Sequence, residues 1–244
     1  RSKIIPRQEE RRKDRKYKMG LISNKISRDE VRPGDHIYSW RNKLHTYAHH
    51  GIYVGDGEVI HFTRPLTKPE MIISSSLSIL PCPTCGDLSR FSGVISSCLD
   101  CFLDGGKLYR YEYNVKRAAF IAKTIGGTCT LAPSDPLEDV LYRAKYLLSS
   151  RDGFGVYKLF KNNCENFALY CKTGLLVSKK TGQANSVSTA SGAALVVAVA
   201  GHQMAAYGIY SYGRLKSDIG KKGRKDVKKV LVEELVAMCQ CEQK

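Results

Sequence analysis

Two short apolar runs, Ile52-Tyr53-Val54 and Val59-Ile60-His61-Phe62, flank Gly55-Asp56-Gly57. Gly and Asp accept the positive φ that tight hairpin turns demand, so this segment reads as a β-hairpin and commits the region to an antiparallel sheet. His49, His50 and His61 border the same turn, and register decides which of them meet. A two-residue Asp56-Gly57 turn sets His61 opposite Ile52, on the face of His50. A three-residue Gly55-Asp56-Gly57 loop, with Gly57 in a left-handed bulge position, sets His61 opposite Gly51 and diagonal to His49. Side chains alternate, so only one of His49 and His50 can face a given site.

Around the hairpin the signals are those of an α+β domain. Arg32-Pro33-Gly34-Asp35 is turn punctuation before a strand at His36-Ile37-Tyr38, and Leu108 to Tyr113 alternates with period two. Asp135-Pro136-Leu137-Glu138 predicts a helix start, with Asp135 as the cap. Leu137, Val140, Leu141, Ala144, Leu147 and Leu148 then share a face. Asn162-Asn163 precedes a second helix, on which Cys164, Phe167, Ala168 and Cys171 fall on one side.

The start of the chain carries no apolar signal sequence, so the expectation is an intracellular, cytoplasmic protein that is not secreted. Its nine cysteines then point to metal or catalysis before disulfides. Cys82-Pro83-Thr84-Cys85 and Cys98-Leu99-Asp100-Cys101 are two C-x-x-C pairs separated by twelve residues. Such knuckles make a tetrahedral four-thiolate site, and the expectation is structural zinc in an insertion at about 78–106. A closed set of four ligands has no open position, so no cofactor is expected for catalysis. Cys129 and Cys171 read as core or surface thiols. Cys164 stands apart, because a helix start stabilises a thiolate through unpaired N–H groups. From local context alone it is equally readable as a small buried hydrophobe.

A resemblance separates these readings. Tyr47-Ala48-His49-His50-Gly51-Ile52-Tyr53-Val54-Gly55-Asp56-Gly57-Glu58-Val59-Ile60-His61-Phe62 resembles the histidine block of the lecithin:retinol acyltransferase and H-Ras-like suppressor family. Asn163-Cys164-Glu165-Asn166-Phe167 resembles its second block, with Asn166 where that family usually has His. The likeness runs over roughly 30–175 outside the insertion, and the insertion makes the plant-type NC-domain branch the nearer likeness. It implies a circularly permuted NlpC-type papain-like fold, an antiparallel sheet packed on the helix that bears the cysteine. It also implies Cys164 as nucleophile, His49 as general base, His61 as the histidine that orients it, and Tyr47 near the oxyanion. The implied reaction takes an acyl group from a phospholipid or other acyl-lipid through a thioester on Cys164 to water or an acceptor. An ion pair of Cys164 with His49 would explain reactivity near neutral pH. The alternatives are a non-catalytic interaction or regulatory protein and a thiol peptidase or amidase.

Charge and composition divide the chain further. Net charge is +16, and residues 1–18 hold nine Lys/Arg against three acids. The expected layout is a disordered basic extension over 1–29, the acyltransferase-like domain over 30–178, and a C-terminal part over 179–244. Met19-Gly20 within the extension is a candidate translation start. Thr181 to Gly213 has no charged residue and a Gly/Ala-rich centre, and a basic, amphipathic, solvent-exposed tail follows it. These flanks suit an anionic membrane surface better than nucleic acid.

Overall fold

Strands β1 (His36–Trp40), β2 (Ala48–Gly55), β3 (Glu58–Thr63), β4 (Gly93–Cys98) and β5 (Tyr109–Arg110) form one antiparallel sheet in the order β4-β3-β2-β1-β5. The computed structural model describes residues 24–41, 47–64, 82–86, 92–150, 153–159, 162–177 and 203–241. The hairpin turns on Asp56 and Gly57, with φ of 50° and 75°, the left-handed pair of a two-residue type I′ turn. Gly55 pairs with Glu58 but Tyr53 pairs with Val59, so Val54 is an extra residue on β2. This bulge restores the register expected of the longer loop: His61 lies opposite Gly51, and His49 is diagonal to it.

Helices α1 (Leu99–Leu103), α2 (Arg117–Ala122), α3 (Leu137–Ser149), α4 (Cys164–Thr173), α5 (Gln203–Ser217) and α6 (Val232–Cys241) surround the sheet. A two-stranded ladder of β6 (Leu175–Val177) with β7 (Val227–Lys229) accompanies them. Apolar residues of α3, α4 and α6 pack on Ile52, Ile60 and Phe62 of one sheet face. On the other face Phe102 and Leu103 of α1 pack on Ile37 and Val59. The sheet is therefore buried on both sides, and that decides the environment of every histidine it carries.

Four expectations are corrected. Asp135 does not cap α3, which starts after Pro136; its carboxylate instead takes Arg143 at 2.6 Å and Lys229 at 2.8 Å. The strand expected over Leu108 to Tyr113 keeps only two ladder residues, because Glu112 turns away to exchange backbone bonds with Thr128 and Thr130. Residues 24–29, assigned to the basic extension, are partly built into the body: Ile26 is buried and the Asn24 carbonyl accepts from Arg110 N. The tail is not solvent-exposed either. β7 pairs with β6, and α6 buries Val232, Leu235, Val236 and Cys239 in the main core. Residues 1–23, 78–81, 87–91 and 181–202 lie outside the described residues. Residues 203–213 are part of α5, and among the described residues no helix is long and apolar enough to cross a membrane.

Because α6 completes the core, Leu235→Ala is expected to cost about 2–5 kcal/mol in chemical denaturation. Met238→Ala, at a position 48% exposed, is expected to stay within about 0.5 kcal/mol.

Candidate active site

The first turn of α4 is fixed by a reciprocal capping box. The Asn163 side chain accepts from Asn166 N at 3.1 Å, and the Asn166 side chain accepts from Asn163 N at 3.2 Å. Asn166 thus has a task where the resembling family has His. Cys164 is the first helical residue and is 2% exposed. Its thiol rests 3.8 Å from the Ala48 carbonyl and 4.0 Å from the Tyr157 hydroxyl. Burial pushes the thiol's pKa up, against the His50 N–H and the Tyr157 and Tyr47 hydroxyls, which favour the thiolate.

On the α1 face of the sheet, His49 Nε2 lies 2.9 Å from His61 Nδ1, with the rings edge-on. His61 Nε2 in turn lies 3.0 Å from Ser97 Oγ. The Phe102 ring packs against both imidazoles, with centroids at 5.3 and 5.5 Å. It needs Gly51 to do so, since a Cβ there would stand 2.9 Å from the Phe102 ring and 2.8 Å from Val59. Burial, the neighbouring imidazole and the Arg41 cation hold His49 well below its ordinary value. Burial and Arg41 bring His61 down to about 3. Arg41 donates to the Phe102 and Leu103 carbonyls at 2.6 and 2.8 Å, so one cation closes α1 and faces both rings. His50 looks the other way, bonded to His36 at 2.9 Å and stacked on Tyr38.

The structure therefore brings His49 and His61 together and sets the Cys164 thiol against the backbone of Ala48, one residue from His49. The thiol hydrogen-bonds to that carbonyl and not to the imidazole. The expected ion pair is not the resting state either: burial raises the thiol and lowers the imidazole, so both are neutral. Tyr47 sits 3.4 Å from Tyr157, hydroxyl to hydroxyl. Tyr157, Arg41 and Ser97 are the neighbours that sequence reasoning missed, since each reaches the site through a tertiary contact that no local pattern marks. Glu165, next to the thiol, is also buried; among the described residues neither of its oxygens has a hydrogen-bond partner, and burial raises its pKa to about 7.

The ligand atoms of Cys82, Cys85, Cys98 and Cys101 lie within 4.8 Å of one another and could hold a metal ion. Cys82 and Gly86 exchange backbone bonds around the first knuckle, and Thr84 N points at Cys82 Sγ at 3.4 Å. Cys101 N points at Cys98 Sγ at 3.5 Å in the second. Backbone N–H groups of Cys85 and Thr84 lower the Cys82 thiol to about 6. This is the amide-to-sulfur arrangement that thiolate ligands favour.

Residues 29–177 match the family model described as Lecithin retinol acyltransferase. Both sequence blocks and all four paired cysteines lie inside that span. The chain belongs to this family. Protein LEAD-SENSITIVE 1 of Arabidopsis thaliana is 49% identical over 239 residues, covering 89% of this chain and 90% of that protein, so the family member is one of plant type. Human lecithin retinol acyltransferase is 24% identical over 144 residues, 55% of this chain and 52% of its own. The bovine protein of that name is 26% identical over 141 residues, 54% and 51% respectively. Membership supports an acyltransferase-like function of the lecithin retinol type.

Two substitutions probe this end of α4. Asn163→Ala is expected to cost about 1 kcal/mol through the lost cap. Glu165→Gln tests the buried carboxyl by pH. A carboxyl raised from 4.5 to about 7 on folding contributes stability that is full below 4.5 and lost as pH rises through about 7. Relative to wild type, Glu165→Gln should therefore gain melting temperature at pH 8 and lose that advantage at pH 5.

Proposed function

We propose that this protein is a thiol acyltransferase or lipid acyl hydrolase working through Cys164. The observation that carries the reading is the His49–His61 bond on the strand whose first carbonyl receives the Cys164 thiol. With Nε2 of His49 donating to His61, Nδ1 is the proton acceptor. On substrate entry the thiol leaves the Ala48 carbonyl, gives its proton to His49 Nδ1, and the sulfur attacks the ester carbonyl carbon. The tetrahedral oxyanion meets the N–H groups that open α4 and the hydroxyls of Tyr47 and Tyr157. Collapse expels the alkoxide, which takes the proton from His49, and the acyl group stays on sulfur as a thioester. Water or an acceptor hydroxyl then gives its proton to His49 and takes the acyl group, and Cys164 is restored.

The fold reading that goes with this chemistry is the circularly permuted NlpC-type papain-like one, supported by the antiparallel sheet packed on the Cys helix. The acyl-transfer domain spans 30–178. The substrate is a phospholipid or other acyl-lipid met at an intracellular anionic membrane surface. That partner is supported by α5, where Ile209 and Tyr212 are 74% and 64% exposed, and by exposed Lys216, Lys222 and Lys225 nearby. The four-cysteine site holds zinc. Two of its sulfur–sulfur separations are 3.8 and 3.7 Å, and a tetrahedron with bonds of about 2.3 Å has an edge of about 3.8 Å. A second reading, a non-catalytic interaction protein, is favoured by the 2% exposure of Cys164 and its neutral resting state.

Incubation with acyl-labelled phosphatidylcholine followed by mass spectrometry distinguishes the two. The expected result is an acyl adduct on Cys164 that is absent in Cys164→Ser and formed at least about a hundredfold more slowly in His49→Gln. A wild-type protein that never acylates, although Cys164 is open to alkylation, supports the second reading. For the metal, one zinc per chain is expected by elemental analysis of wild type, and none in Cys82→Ser.

A further inference from the structure

Ser97 and Cys98 are consecutive residues at the end of β4, yet they serve two different clusters. Ser97 is buried with its hydroxyl 3.0 Å from His61 Nε2. Cys98 supplies a sulfur to the four-thiol site and is also the cap of α1, its Sγ accepting from Cys101 N. Leu99 N donates to the Gly57 carbonyl at 2.7 Å, which pins the same joint to the hairpin turn. Three residues further on, Phe102 packs against both imidazoles, and its carbonyl holds Arg41. One short segment, Ser97 to Leu103, thus carries metal ligands at Cys98 and Cys101 and the supports of the histidine pair at Ser97 and Phe102.

The chemistry of neutral imidazole makes the Ser97 contact directional. Each ring has one nitrogen that donates and one that accepts. If Ser97 Oγ accepts from His61 Nε2–H, then His61 Nδ1 must accept from His49 Nε2–H, and His49 Nδ1 is a bare lone pair able to take a proton. If Ser97 donates instead, both rings invert, and His49 Nδ1 already carries hydrogen. The base exists only in the first arrangement.

We propose that Ser97 is a positioning residue that sets the tautomers of His61 and His49, and that a metal ion on Cys98 and Cys101 holds it in place. The inference rests on the reading of His49 as base and of the four cysteines as a zinc site. It extends that reading by giving the insertion a role in the chemistry: the ion fixes the segment whose Ser97 and Phe102 seat the histidine pair. Loss of the ion would relax this segment and leave the two rings in mixed tautomers.

The test uses the full chain, zinc-loaded and labelled with 15N-histidine. Long-range 15N–1H spectra report which nitrogen of each ring carries hydrogen, and iodoacetamide alkylation reports the reactivity of Cys164. Wild type is expected to show His61 and His49 both protonated on Nε2. Ser97→Thr and Ser97→Val have the same shape and differ only in the hydroxyl, so a packing effect moves both alike. Thr is expected to keep the wild-type tautomers, whereas Val mixes them and slows alkylation by about tenfold at unchanged zinc content. Cys82→Ser, altered on the knuckle that is not part of α1, is expected to lose zinc and show the same tautomer mixing. Wild-type tautomers in Ser97→Val overturn the positioning role, and wild-type tautomers in zinc-free Cys82→Ser overturn the coupling to the metal. Failure of the underlying reading looks different: Cys164 alkylated equally fast in His49→Gln and wild type removes the base, and wild type without bound zinc removes the metal.

Discussion

A sheet covered by helices on both faces leaves its histidines no water, and most of the site follows from that. An imidazole out of water stays neutral and is stabilised by a hydrogen-bond partner, because an unpaired buried polar group costs about 1–3 kcal/mol. β1, β2 and β3 answer this twice, pairing His36 with His50 on the α4 face and His49 with His61 on the α1 face. The two pairs are built alike but placed differently. The first is sealed among Tyr38, Tyr111 and Tyr113, whereas the second is walled by Phe102 and bonded onward to Ser97. Burial also sets the response to acid. His50 and His61 fall to about 3, so their contribution is full above 6.5 and is lost as pH drops toward 3. Glu165 works in the opposite sense, so the two contributions combine best near pH 6.5, where that of the histidines is complete and part of that of Glu165 remains.

The basic C-terminal region shows how a charge-rich segment can be structural. Arg214 is fully buried, lies 4.6 Å over the Phe120 ring and donates to the Lys123 carbonyl. Asp218 accepts from Thr130 Oγ1, Leu131 N and Gly220 N. Lys123 itself is buried against Glu112 at 2.5 Å. Removing one member of such a set strands its partner, at a cost of about 3–5 kcal/mol. These contacts dock α5 onto the loop that leaves β5, on the side of the domain where Glu165 is buried. That loop in turn lies against Glu165 at Gly127, on the helix that carries the thiol.

What was legible in the sequence was local. The Gly55-Asp56-Gly57 hairpin, the Asn163 cap before Cys164 and the two C-x-x-C knuckles each depend on residues within a few positions of one another. The face shared by Phe167, Ala168 and Cys171 was legible for the same reason. The turn, however, combines the two alternatives the sequence leaves open: the loop has the two residues of one, and the bulge at Val54 supplies the register of the other. Asp135 was misread because two cations distant in sequence outcompete the helix end for its carboxylate. Tyr157, Arg41 and Ser97 had no signal to offer, since an isolated Tyr, Arg or Ser looks the same on any surface. The tail was misread because Lys and Arg dominate its composition, while the apolar stripe of α6 is only ten residues long and needs the rest of the core to matter.

The shortness of α1 argues that the insertion beside it is more than an ornament. Five residues make barely more than one turn, and a helix that short does not hold itself in water, because nucleation fixes several dihedrals for a single hydrogen bond. α1 is held by its two caps, the Cys98 sulfur at its start and Asp104 in the left-handed region at its end, and from outside by the Gly57 carbonyl at its first N–H and Arg41 on its last carbonyls. Yet this one turn carries Phe102, the apolar wall against which both catalytic candidates rest. A wall of that kind must be rigid to orient two rings, and an ion held by the four cysteines would fix the turn at Cys98 and Cys101.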